Sequence, residues 1–243
     1  PHITLLLIAL NCLIFFTYQS GDDQRGKDAI KQYLDSGLLA READSFKVYC
    51  SKNCLFYEDE LKAYQNPSDA YLSGLILGHL EFEHQIHQSP AFMADLQWQT
   101  ERLKAERTRD LVSIYRFGHI PERFSLQGLL GSIFLHADFA HLLGNMIFLI
   151  VVGFALEAAL GRWQYLALYL LGGVFAGAFA GLIKTDWIPN IGASGAISAL
   201  MGMYAGVYGL RKIRLFYWLG PLMGYIRLPA MLVLLFWAGY ELY

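Results

Sequence analysis

The chain has 243 residues, of which 55% are hydrophobic, and a formal net charge of −2. Its length allows one or two domains. A near-neutral chain lacks the electrostatic footprint of a nucleic-acid binder. The charges are segregated: 30 of the Asp, Glu, Lys and Arg residues lie between Gln19 and Phe124, and only 10 lie in the 119 residues from Ser125 to Tyr243. The chain is therefore a polar middle segment, an apolar second half and one apolar stretch in front.

Five apolar runs are legible: 3–18, 138–157, 163–183, 191–210 and 228–243. A membrane-spanning helix needs roughly 20 mostly apolar residues to cross a ~30 Å hydrocarbon core. The first run has no basic region ahead of it and no small-residue cleavage pattern after it, so it reads as a span and not as a removable signal. Arg162, Arg211, Lys212, Arg214 and Arg227 fall in loops on one side and Lys184 alone on the other. The rule that cytoplasmic loops carry the excess of Lys and Arg places the first set inside and the polar segment outside. This predicts three regions: a first span over 1–19, an extracytoplasmic helical insertion over 20–116, and a membrane core over 117–243.

Within the insertion, "DAIKQYLDSG" and "LFYEDELKAYQN" predict short helices, the first stopped by Gly37. "SPAFMADLQWQTERLKAERTRDLVSIY" predicts a longer one, with Ser89 as N-cap and Pro90 in the first helical position. Phe92, Leu96, Leu103, Leu111 and Ile114 keep rough helical spacing. No strand alternation is visible. Cys50 and Cys54 form a C-x3-C pair, compatible with a disulfide in an oxidising compartment or with two free thiols. "GHLEFEHQIH" places His84 and His87 on one helix face, a pattern of a solvated polar helix more than of a metal site. Cys12 reads as packing.

Polar side chains inside spans are costly and face the bundle interior. Asp138 is a natural N-cap for the second span. His141 and Asn145 follow, four residues apart and hence one turn apart on one face. Asn145 precedes Arg162 by as many residues as Ser194 precedes Arg211, which puts both about 25 Å above the cytoplasmic edge at ~1.5 Å rise per residue. His141 lies one turn higher. A serine, an asparagine and a histidine thus converge near one depth. Each also has a plain packing reading: Ser194 among Gly192 and Gly195 would allow close helix approach, and His141 and Asn145 would bond neighbouring helices. The strand–turn–helix serine elbow G-x-S-x-G does not apply, because position 196 is Ala.

"HADFAHLLGNMIF", "GFALEAALG" and "IGASGAISALMG" resemble the rhomboid intramembrane serine proteases, over residues 3–18 and 117–243. The resemblance implies an all-α polytopic bundle with the 20–116 segment as a large insertion of a kind some bacterial members carry. It implies that Ser194 is the nucleophile, that its backbone N–H with the side chains of His141 and Asn145 forms the oxyanion hole, and that Gly192 keeps the backbone open there. Glu157 matches a structural glutamate and His136 a histidine that supports the outer loop. The Trp-Arg pair expected in that loop is replaced by "SLQGLLGSIFLH". No metal or cofactor is implied. The implied partners are the lipid bilayer and transmembrane protein substrates, cleaved in a bacterial inner membrane. The family's base is a histidine on a sixth span, and no histidine follows His141 here. A last helix starting at Pro229 would be about 22 Å long by Tyr243, short of a full crossing. This sequence is expected to be cut inside its fifth span and to be inactive as it stands. The alternative is an inactive rhomboid-like protein that binds client transmembrane helices. A transporter would want several ionisable groups along a path, and the interior offers little beyond His141 and Glu157.

Overall fold

The computed structural model describes residues 1–54, 68–183, 186–219 and 222–242. The helix expected over "LFYEDELKAYQN" lies outside the described residues. The chain divides into two compact units. One is Pro1–Thr17, Phe117–Thr185 and Pro189–Tyr243; the other is Tyr18–Arg116 with Asp186–Ile188.

The first apolar run forms α1 (His2–Leu13). Helical winding does not stop near residue 18 as the hydropathy suggested. It passes through a π turn (Ile14–Tyr18) and a 3-10 turn (Gln19–Gly21) into α2 (Asp22–Asp35). Asp22 and Asp23 in the first turn of α2 suit a helix N-terminus.

The polar unit is helical. Gly37, at φ +73°, makes the break that a side chain would resist, and α3 (Leu38–Asn53) follows. Ser68 caps α4 (Asp69–Gly78) and His79 caps α5 (Leu80–Gln88). Ser89 accepts from Phe92 N–H with Pro90 in the first turn, as expected, but this helix is only α6 (Pro90–Ala94). Asp95 interrupts it. Its carboxylate accepts the Trp98 N–H at 2.8 Å and starts a new helix, α7 (Leu96–Arg109). A capping aspartate in place of a continued turn splits the long helix in two. The short α8 (Ser113–Phe117) follows.

Tyr33, Phe46, Ile76, Phe82, Phe92 and Ala105 form the apolar core of this unit. Arg102, fully buried on α7, pairs with Glu42 of α3 and, at 2.7 Å, with Glu106. Glu42 also accepts the Tyr33 hydroxyl at 2.8 Å and the Trp98 indole N–H at 2.7 Å. A buried ion pair persists only where further hydrogen bonds complete it, and Glu42 has them.

The membrane unit continues with α9 (Leu126–Ser132), α10 (Phe139–Leu160), α11 (Arg162–Ile183) and α12 (Ser194–Tyr208). Two strands, β1 (Lys212–Leu219) and β2 (Leu222–Pro229), and α13 (Ala230–Leu242) complete it. Gly161, at φ +83°, turns α10 into α11. Leu149, Val152, Leu156, Tyr165, Tyr169, Ile197 and Leu200 are fully buried between α10, α11 and α12. Glu157 ties α1 to α10. Its carboxylate accepts the N–H of Ile3 at 3.0 Å, the N–H of Thr4 at 2.8 Å and the Thr4 hydroxyl at 2.8 Å. This is the structural role that the sequence suggested for Glu157.

Glycine lets α11 and α12 approach to backbone distance. A Cβ added at Gly172 would lie 2.4 Å from Ala199 Cβ, and one at Gly195 would lie 2.7 Å from Ala176 Cβ. A neighbouring face of α11 is apolar and exposed: Leu171, Phe175, Phe179 and Leu182.

Among the described residues, three helical runs are long and apolar enough to cross a membrane: His2–Asp35, Phe139–Leu160 and Arg162–Ile183. The run 191–210 differs from expectation. Its helix begins only at Ser194 and has 15 residues, about 22 Å at 1.5 Å per residue. The stretch 211–229, read from its basic residues as a loop, forms a hairpin. There β1 and β2 pair antiparallel, with Lys212 opposite Pro229 and Leu219 opposite Leu222. Pro229 accordingly ends a strand, and the last helix starts one residue later. The architecture remains that of an all-α membrane bundle with one hairpin added.

Candidate functional site

Three helix starts and ends build the site. Asp138 caps α10 by accepting the His141 N–H at 2.8 Å, which fixes the first turn and presents the His141 side chain from it. Ser194 is the first residue of α12. Its N–H is one of those at a helix start that have no intrahelical acceptor. Between them, the segment ahead of α12 is held in two places. Asn190 exchanges both backbone hydrogen bonds with His119, at 3.0 and 2.7 Å, and the Gly192 N–H donates to Ser132 O at 2.8 Å.

Gly192 is where the pieces meet. Its φ of +124° belongs to glycine, and a Cβ placed on it would lie 2.8 Å from His141 Nε2 and 3.8 Å from the Ser194 backbone nitrogen. The space a side chain would fill is thus flanked by the imidazole and by the N–H of Ser194. The imidazole has a defined polarity. His141 Nδ1 accepts the Ala137 N–H at 3.4 Å. The ring proton of the neutral form is then on Nε2, the nitrogen nearest Gly192. His141 Nε2 and the backbone nitrogen of Ser194 thus both lie within 4 Å of the Cβ position of Gly192.

Asn145 is fully buried one turn down α10. Its Nδ2 donates to His141 O at 2.9 Å, and Oδ1 has no protein partner. It shares the helix face with His141. His136 is fully buried, with its ring 5.2 Å from that of His141, edge to face.

A cavity of about 250 Å³ adjoins the serine, with Ser132, Gly177, Asn190, Gly192, Ser194 and His119 in its wall. His119 is the residue the sequence did not disclose. It is 2% exposed, and its Nε2 lies 3.2 Å from the Cβ position of Gly181. Nothing local marked it. The backbone pairing that brings it beside Asn190 joins segments separated by α9, α10 and α11.

The three histidines of 79–88 do not gather with one another. His79 caps α5, His84 bonds Gln88 at 2.8 Å, and His87 bonds Glu106 at 3.0 Å. His87 is raised above the usual imidazole range by its Glu106 partner. Cys50 and Cys54 are joined by a disulfide.

Residues 123–242 match the rhomboid domain family. That half of the chain belongs to the rhomboid family. The chain is 32% identical over 95 residues to RHOMBOID-like protein 5 of Arabidopsis thaliana, covering 37% of this chain and 31% of the relative. It is 36% identical over 76 residues to YdcA of Bacillus subtilis, whose name calls it a candidate rhomboid protease, covering 31% of this chain and 38% of the relative. Against Rhomboid-related protein 2 of Mus musculus it is 39% identical over 70 residues, covering 29% and 23%. The chain thus spans between 23% and 38% of these relatives' length. No solved structure matches. With its rhomboid domain and apolar helices, the chain is an integral membrane protein, within a family of intramembrane proteases and rhomboid-like proteins.

Proposed function

We propose that the rhomboid domain is the catalytic core of a serine endopeptidase that cuts transmembrane segments of membrane proteins. The observation that carries this reading is the glycine-lined spot at Gly192, flanked by His141 Nε2 and the Ser194 N–H. Ser194 Oγ would attack the scissile carbonyl carbon. The carbonyl oxygen, becoming an oxyanion, would take hydrogen bonds from the Ser194 N–H and from His141 Nε2–H. Aimed donors of this kind contribute about 2.7–4 kcal/mol each in serine proteases. Asn145 would add a third by turning its amide from His141 O toward the anion. His141, with its proton already on Nε2, is a donor and not a base, so the proton of Ser194 must go to another group. The resemblance assigns that role to a histidine on a sixth span beyond Tyr243. The base would then protonate the leaving amine, and water would hydrolyse the acyl-enzyme.

On this reading the protein sits in a bacterial inner membrane. The helical unit lies outside the cytoplasm and the hairpin-bearing loop with Arg211, Lys212, Arg214 and Arg227 lies within it. The second reading is a non-catalytic protein that binds client transmembrane helices on the same scaffold.

The test is cleavage of a single-span substrate by the full natural protein in proteoliposomes. Cleavage by the wild type and none by Ser194→Ala supports the protease. Undiminished cleavage by Ser194→Ala sinks it. Client binding without cleavage by the wild type selects the binder.

A further inference from the structure

The helical unit carries a second reactive cluster, unconnected with the serine chemistry. Cys50 Sγ, Cys54 Sγ and His79 Nε2 all lie within 4.8 Å of one another. Cys50, on the last turn of α3, is 2% exposed; Cys54, at its C-cap, is half-buried and the more accessible of the two. The disulfide between them is poorly explained as a staple. It spans one helical turn, with Cα atoms 4.6 Å apart, and the Cys54 N–H already closes that turn by donating to Cys50 O at 3.0 Å. The constraint that a disulfide places on an unfolded chain grows with the loop it closes, and this loop is among the shortest possible.

His79 gives the pair a polarity. Its Nδ1 caps α5 by accepting the Phe82 N–H at 3.3 Å, so the neutral ring carries its proton on Nε2, 3.7 Å from Cys54 Sγ. Phe46 and Tyr49 pack edge-on against the imidazole, with centroids at 5.7 and 5.2 Å, and hold it in that orientation. A metal ion bound at Nε2 would force the proton to Nδ1 and break the cap, so the geometry favours sulfur chemistry over metal binding.

We propose that Cys50 and Cys54 form a thiol–disulfide exchange centre, in which Cys54 is the attacking sulfur, Cys50 the resolving one, and His79 the N–H donor that stabilises the Cys54 thiolate. In the reduced pair, the Cys54 thiolate attacks one sulfur of an external disulfide. A new S–S bond forms, the external S–S bond breaks, and the electron pair leaves on the first external thiolate. Cys50 Sγ, losing its proton to solvent, then attacks Cys54 Sγ. The mixed disulfide breaks, the second external thiolate leaves, and the Cys50–Cys54 bond seen in the structure forms. Two protein thiols are oxidised and one external disulfide is reduced to two thiols. A hydrogen bond to the thiolate increases its population, and an accessible thiol with such a donor beside a buried partner sets this order of attack.

The experiment uses the full chain in detergent micelles, reduced with dithiothreitol, desalted and exposed to oxidised glutathione. Acid quenching and peptide mass mapping follow the adducts. We expect a transient glutathione adduct on Cys54 that decays to the internal disulfide, and Cys50→Ser to accumulate that adduct. His79→Asn keeps an N-cap residue at this position but removes the imidazole, and should slow adduct formation about tenfold. The wild-type mapping stands on its own should Cys50→Ser fail to fold. An adduct on Cys50 instead, a pair that dithiothreitol does not open, or a His79→Asn rate equal to wild type would overturn the proposal. So would stoichiometric Zn²⁺ binding by the reduced pair that blocks exchange.

Discussion

A methyl group at position 192 would lie 2.8 Å from His141 Nε2, on a backbone with φ of +124°. Gly192→Ala therefore meets two penalties. A non-glycine residue held in a sparsely populated backbone region costs about 1–3 kcal/mol, and relief of the clash displaces the imidazole from its place beside Ser194. We expect cleavage to fall by on the order of 10²-fold or more, comparable to the loss of one oxyanion donor, while the membrane fold persists. Initial rates in proteoliposomes, alongside thermal unfolding, check this. A variant with wild-type rates would mean that nothing reacts over Gly192. At this scale the sequence was informative wherever chemistry follows local spacing. His141 and Asn145 are one turn apart because helices repeat that way, and Asp138 caps because aspartate does. His119 was invisible because only a long-range backbone pair brings it to the cavity, and no local pattern encodes such a pair.

Among the elements, the contact between α1 and α10 rests on one carboxylate. Glu157 accepts three hydrogen bonds from Ile3 and Thr4 at 2.8–3.0 Å. Glutamine at this place keeps one acceptor oxygen and turns an NH2 group toward N–H donors. Hydrogen bonds to charged groups contribute about 1.5–3 kcal/mol each, so Glu157→Gln should lose roughly that much stability. Thermal unfolding in detergent reads it, and Thr4→Val should lose less. An unchanged melting point would show that Ile3 and Leu7 packing alone secures α1. The long apolar elements were legible because 20 or so apolar residues have few other uses. Their ends were not. Ser194 begins α12 because Gly192 breaks the winding before it, and hydropathy does not register a break made of apolar and small residues. Asp95 splits a predicted helix because its carboxylate competes with the backbone for the Trp98 N–H. The hairpin was missed although Ile213, Phe216, Tyr217 and Trp218 favour strands and Gly220–Pro221 is a turn signal. The basic residues around them had already been assigned to a loop.

At the scale of the whole molecule, the two units should answer differently to pH. His87 in the helical unit is raised above its ordinary value by Glu106, 3.0 Å away. A base whose folded pKa exceeds its unfolded value contributes stability that is full below about pH 6.5 and lost as pH rises through the raised value. The side chain is about a third exposed, which moderates the effect through solvent screening. Amide exchange in α5 and α7, corrected for intrinsic rates, should therefore accelerate from near pH 6.5 upward. His87→Gln should abolish that dependence, and exchange in α10 and α11 should not share it. Equal responses in both units, or persistence in His87→Gln, would exclude His87 as the cause.

The glycine seam between α11 and α12 also bears on how this sequence can drift over generations. Gly172 and Gly195 meet neighbouring methyl carbons at 2.4 and 2.7 Å from their Cβ positions, so a single added carbon on either requires two helices to separate beneath Ser194. On another face of α11, Leu171, Phe175, Phe179 and Leu182 are exposed, with Phe175 and Phe179 stacked on each other, and a range of apolar residues serves there. One helix thus carries two mutational clocks. In a collection of close relatives, positions 172 and 195 should be nearly frozen while 171, 175, 179 and 182 exchange freely among apolar residues.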